Sequence, residues 1–127
     1  MPVVLLRDTH PRDPEKVRAM LSAVNRAVCE AVGLPPGNVW VRYEPGSPEH
    51  YWEGISGTAE GQNVLVFVNL VQGRSEDQVH ALFGAISSAV AQSFGIEPEY
   101  VWIRIEEFPL NRVGQGARSY EEIRKQK

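Results

Sequence analysis

At 127 residues the chain fits a single domain, and a hydrophobic share of 43% is ordinary for a folded globule. With 13 Lys and Arg against 16 Asp and Glu the net charge is −3, which argues against a nucleic-acid surface or a polybasic membrane tether. The single cysteine, Cys29, excludes an intramolecular disulfide and a multi-cysteine zinc site.

In chain order, the first element is the short apolar run Val3–Leu6, rich in β-branched residues, which predicts a strand buried on both faces. The start of the chain lacks the basic region and small-residue cleavage site of a secretory leader. No apolar stretch approaches the roughly 18 residues of a spanning helix. A soluble, cytoplasmic protein is expected, with neither nucleic acid nor membrane as partner. Asp13 then reads as an N-cap and Pro14 as a first helical residue, whose missing N–H costs nothing there. Val17, Met20, Leu21, Val24 and Val28 follow at helical spacing and form one apolar stripe. Cys29 flanks it as small packing filler. Gly33 is placed to close the helix, Pro36 prevents its continuation, and Val39–Tyr43 reads as a second strand.

Past a glycine-rich linker at 54–63 the chain begins again. Displaced by 62 positions, Val32–Glu44 falls on Phe94–Glu106 without a gap, matching Gly33 to Gly95, Pro36 to Pro98, Trp40 to Trp102 and Arg42 to Arg104. The same offset aligns Arg12 with Arg74, Val17 with Val79 and Ala27 with Ala89. An internal repeat in one register decides the architecture. The second copy supplies a strand at Val64–Val68, a capping box at Ser75 and Gln78, a stripe of Val79, Leu82, Phe83, Ile86 and Val90, and a strand at Val101–Ile105. Each β-α-β unit calls for parallel strands and a right-handed crossover. The expected fold is α/β (α+β): tandem β-α-β repeats giving a four-stranded sheet with two helices on one face. The uncovered face is then left for further subunits. One domain spans 1–127, with repeat one at 2–53, the linker at 54–63, repeat two at 64–120 and a tail at 121–127.

Three features could carry chemistry. Pro2 becomes a free secondary amine if Met1 is removed, which is generally efficient before a small residue. An α-amino group has a pKa of about 7.7–8.0, lowered further by apolar or cationic surroundings, and so suits a general base. The competing reading is a proline that does nothing, and a retained Met1 would leave it a tertiary amide. Next are the arginines. Arg12 and Arg74 sit in the strand-to-helix turns, while Arg42 and Arg104 share strand parity with Trp40 and Trp102. They could fork a carboxylate, stack on an indole, or pair structurally with Glu44 and Glu106. Last come the segments after each second strand, 48–54 and 110–118, which could rim a pocket or form surface turns. His10, His50 and His80 make no metal-ligand spacing, and no nucleophile elbow or phosphate-cradling glycine motif is present. No metal or cofactor is expected.

The stretch Val64–Gln78, a strand followed by Gly73-Arg74-Ser75-Glu76-Asp77-Gln78, resembles the opening of a 4-oxalocrotonate tautomerase subunit. Val101–Pro109 and Gly114-Gln115-Gly116 are similar to that family's second strand and glycine-rich hairpin. The fused length is similar to the cis-3-chloroacrylic acid dehalogenase and malonate semialdehyde decarboxylase branches of the tautomerase superfamily. The resemblance implies an amino-terminal proline that moves a proton on an enol or 2-keto acid, arginines that grip its carboxylate, and a homotrimer with one site per chain. Pro2 matches the catalytic proline, and Arg12 and Arg74 match the turn arginine in the two copies. The family's second-strand arginine is replaced by Trp40 and Trp102, with Arg42 and Arg104 two residues on as candidates to substitute. Tyr51 aligns with the hairpin aromatic. Where the dehalogenase branch has paired turn arginines, a strand tyrosine and a hairpin glutamate, this chain has Val71 with Arg74, then Arg104, then Gln115. An aspartate of the decarboxylase branch falls near Asn38. The resemblance therefore implies a tautomerase. A hydratase, dehalogenase or decarboxylase of the same superfamily is one alternative, and a non-catalytic trimer with Pro2 blocked is another.

Overall fold

The computed structural model describes residues 2–55 and 62–126, so most of the linker lies outside the described residues. The order is β1 (Val3–Asp8), α1 (Pro14–Val32), β2 (Trp40–Glu44), β3 (Val64–Val71), α2 (Glu76–Phe94), β4 (Val101–Phe108), β5 (Gly114–Gln115), β6 (Arg118–Ser119) and α3 (Tyr120–Lys125). The helix boundaries follow the expected signals. The Asp13 carboxylate accepts from the Glu15 N–H, and Ser75 and Gln78 form a reciprocal capping box. Gly33 and Gly95 end the helices at φ of 69° and 68°, a left-handed conformation that glycine adopts without penalty. The strands run longer than their apolar runs, β1 to Asp8 and β4 to Phe108. Residues 120–125, read as tail from 121 onward, form α3, started by a second capping box between Ser119 and Glu122. No described helix is long and apolar enough to cross a membrane.

The four long strands lie in the order β2-β1-β3-β4, parallel within each copy and antiparallel where β1 meets β3. Leu5 pairs with Phe67, its own repeat counterpart 62 residues on, so a local two-fold axis passes through that pair. The register on either side obeys it: Val3 pairs with Trp40 as Leu65 pairs with Trp102. One face is covered by α1 and α2. There Val4, Leu6, Val66, Val68 and Leu70 pack with Met20, Val24, Val28, Leu82, Ile86 and Val90, all at most 1% exposed. At about 25 cal/mol per Å² of apolar area this core is the main source of stability. Phe83, assigned by spacing to the buried stripe, lies at its margin and is 40% exposed.

No helix covers the other face among the described residues. It presents Trp40 and Trp102, each 48% exposed, around a centre of Leu5 and Phe67. Arg7 and Arg104 each lay a guanidinium 4.9 Å from the Phe67 ring centroid.

One close approach fastens β2 to β1. A Cβ added to Gly46 would lie 1.8 Å from the Asp8 carbonyl oxygen, a backbone atom that cannot swing aside. Gly46→Ala should therefore destabilise the protein by about 2 kcal/mol or more, measured by urea unfolding. Gly37→Ala, where no atom lies within 4 Å of the added carbon, serves as the control.

Candidate active site

Antiparallel pairing of β1 with β3 sets the start of one against the end of the other. Pro2 is buried, and its carbonyl accepts the Trp40 N–H at 3.1 Å. Carrying the register one step back from Val3 puts Pro2 level with Val39 on one side and Leu70 on the other. Immediately beyond those neighbours, Asn38 and Arg74 line a cavity of about 360 Å³. Leu34 and Gln115 add to its wall, and α3 closes it with Tyr120, Ile123 and Arg124. Pro2 flanks this cavity without lining it.

Arg74 is half-buried. One terminal nitrogen donates to the Val71 carbonyl at 3.3 Å, while its Nε is buried without a hydrogen-bond partner. Burial pushes the guanidinium below its ordinary range, the nearby charge of Arg124 adds to that, and Glu107 opposes it. No ion pair to Arg74 or Arg124 occurs among the described residues.

The two-fold places the counterpart arginine, Arg12, at the opposite end of the sheet, where it is fully engaged. Its Nε bonds the Asp8 carboxylate at 2.9 Å, with the side chains only 5% and 0% exposed. A terminal nitrogen donates to the Gln62 carbonyl at 2.8 Å, and the guanidinium lies 4.8 Å from the Phe94 ring centroid. Tyr43 donates its hydroxyl to Asp8 at 2.6 Å, and burial followed by that bond pushes the phenol pKa up. The residues 62 on from Asp8 and Tyr43 are Leu70 and Ile105, and the residue 62 before Phe94 is Val32. Every group that neutralises or stacks on Arg12 is thus apolar and non-aromatic at the Arg74 end.

Of the residues singled out from the sequence, Arg74 and Gln115 share the cavity, and the strand register sets Pro2 level with Val39, one residue from the lining Asn38. Arg12 does not join them. Arg42 and Arg104 lie on the open sheet face, 3.9 Å from Glu44 and 2.6 Å from Glu106, the structural pairing that strand parity had left open. Tyr51 is at the far end, donating to Glu53 at 2.9 Å. Sequence reasoning missed Tyr120, Ile123 and Arg124. The signal was the Ser119-x-x-Glu122 capping box, which announces a helix after the hairpin.

No known family profile matches the sequence, and no curated protein matches it. Solved structures do. Pt0534, in a structure of the protein inactivated by 2-oxo-3-pentynoate, superimposes with a TM-score of 0.87 at 25% identity, over 95% of this chain and 98% of its own. Native fused 4-OT gives 0.86 at 18% identity over 95% and 98%. Malonate semialdehyde decarboxylase gives 0.77 at 19% identity over 98% of both chains. The fold is that of the tautomerase superfamily. Within that superfamily fold, the two ends of the sheet differ in charge compensation.

The difference has a thermodynamic signature. Asp8→Ala strands the Arg12 charge in the interior and should cost about 3–5 kcal/mol in unfolding free energy. Arg74→Gln removes a poorly solvated, unpaired cation and should leave stability unchanged or slightly higher, as measured by thermal and urea unfolding.

Proposed function

We propose that the chain is a tautomerase that moves a proton between enol and keto forms of a small 2-keto or enol carboxylate, with Pro2 as general base after removal of Met1. The observation that carries this reading is the unpaired Arg74 at the Pro2 end, set against an Arg12 neutralised by Asp8 at the other end. Arg74 receives the substrate carboxylate through its fork of N–H donors. The Pro2 nitrogen takes the enol hydroxyl proton and returns it to carbon, so the C=C bond moves to form the ketone. Arg74 holds the dienolate charge that develops between these steps. Leu34 and Ile123 supply apolar wall that favours the uncharged amine at neutral pH. Gln115, a neutral amide at the cavity, cannot act as a general base towards water, which disfavours hydration and dehalogenation. The same superfamily fold in a decarboxylase and in a cis-3-chloroacrylic acid dehalogenase family member supports those reactions only as alternatives.

We also place the chain in a homotrimer assembled through the open sheet face. Parallel strand pairs are rarely left uncovered, and two half-exposed tryptophans on that face call for a partner surface. Related fused 4-OT structures are described as symmetric and asymmetric trimers.

The decisive assay follows ketonisation of phenylenolpyruvate by ultraviolet absorbance, with intact mass recorded to establish the state of Met1. Rapid turnover is expected in the wild type. It should fall by about 100-fold or more in Pro2→Ala, and by roughly 100- to 1,000-fold in kcat/KM in Arg74→Gln. Because the amine must be deprotonated, kcat/KM should rise with pH to a plateau. Turnover that survives Pro2→Ala would refute the mechanism. A retained Met1 with no turnover would turn the reading to a non-catalytic trimer. Sedimentation should give the mass of three chains, and Phe67→Glu, a charge at the centre of the open face, should shift it to one.

A further inference from the structure

We infer that Asn25, on α1, is a positioning residue for Pro2: its amide clamps the turn leading into β2, and so fixes the backbone that holds Pro2. The inference rests on the reading of Pro2 as the base and names what keeps that base in place. The Asn25 Nδ2 donates to two carbonyls of the turn, Val39 at 2.8 Å and Pro36 at 3.1 Å. Between those acceptors lies Asn38, which lines the cavity. The next N–H along the chain, that of Trp40, donates to the Pro2 carbonyl at 3.1 Å. One amide therefore links the helix to the residue pair that anchors Pro2. Its own orientation is set one turn further on, where the Cys29 thiol, a weak donor, reaches the Asn25 Oδ1 at 3.7 Å. With its oxygen engaged there, the amide presents both N–H groups to the turn.

The second copy shows that the turn does not need this clamp to form. The residues 62 on from Asn25 and Cys29 are Ser87 and Ala91. The Ser87 hydroxyl bonds back to the Gly84 carbonyl of its own helix at 3.3 Å, and Ala91 has no donor side chain. Among the described residues, α2 sends no side-chain hydrogen bond to its turn at 98–101. Yet the two turns share their backbone bonds: Asn38 N–H to the Pro35 carbonyl at 3.0 Å, and Tyr100 N–H to the Glu97 carbonyl at 3.1 Å. The clamp thus occurs in the copy whose turn reaches the cavity and anchors Pro2. Arg74, Gln115 and Tyr120 come to the cavity from the other half of the chain. A substrate held by Arg74 meets a base held through Asn25, so slack in the turn alters the gap between base and reacting carbon and leaves carboxylate binding alone.

The test separates kcat from binding and adds a readout that needs no catalysis. Asn25→Ser, the change already present at the equivalent position of α2, should lower kcat for phenylenolpyruvate about tenfold, with KM and the inhibition constant of butyrate within about twofold. Asn25→Asp keeps the shape, removes both donors and should fall at least as far. Cys29→Ser retains a donor to the amide oxygen and should keep kcat near the wild-type value, whereas Cys29→Ala should lower it. Val17→Ala, a loss of packing on the same helix, should reduce the unfolding temperature without changing kcat. Amide hydrogen exchange by NMR should be roughly tenfold faster at Trp40 in Asn25→Ser and unchanged at Trp102. A kcat within twofold of wild type in Asn25→Ser overturns the inference. So does an equal fall in Val17→Ala, which would mark general loosening, or an unaltered exchange rate at Trp40. A wild type that turns over no enol would refute the tautomerase reading, while faster Trp40 exchange in Asn25→Ser would still uphold the clamp on Pro2.

Discussion

The antiparallel contact between β1 and β3 governs everything else in the molecule. Each β-α-β unit alone is a parallel pair with one helix, too small to bury both its faces. Joining the units back to back, about an axis through Leu5 and Phe67, makes a sheet wide enough for two helices to cover. The same contact carries the turn after β3 to the start of β1. Arg74 thereby reaches the neighbourhood of Pro2 from the other half of the chain, 72 residues along. A parallel β1–β3 contact would have put both turn arginines at one end and the proline alone at the other.

The two-fold is a rule of backbone geometry, and side chains depart from it where charge is concerned. At one end Asp8, Tyr43, Gln62 and Phe94 surround Arg12 and convert it into a buried structural ion pair. At the other end Leu70, Ile105 and Val32 offer Arg74 no such company. A half-buried guanidinium with an orphaned Nε is a cost to stability that an anion on its donors would offset.

Much of this was legible in the residues. The 62-residue offset, the caps at Asp13 and Ser75 and the glycines at 33 and 95 follow from local chemistry, and local chemistry survives into the fold. The helical stripes held apart from Phe83, because spacing locates a face but not its margin. Arg12 and Arg74 looked equivalent in sequence because their turns are equivalent. What separates them is Asp8 against Leu70, a difference at the last pairs of two strands whose meaning depends on knowing that the arginine folds back over the strand end. Arg42 and Arg104 shared parity with the tryptophans as expected, yet that parity belongs to the open face rather than to the cavity. The role of α3 depended on where the hairpin aims it, which no periodicity of six residues can reveal.

Fusion of the two copies has a genetic consequence that the Asp8–Leu70 pair makes concrete. In an assembly of identical unfused subunits, a codon change that placed an acid beside the turn arginine would appear at every equivalent position at once, silencing each site it stabilised. In one continuous reading frame the positions mutate independently. An aspartate can pair the arginine at one end of the sheet while a leucine leaves its counterpart unpaired at the other, so the two halves of a single chain are free to diverge in charge.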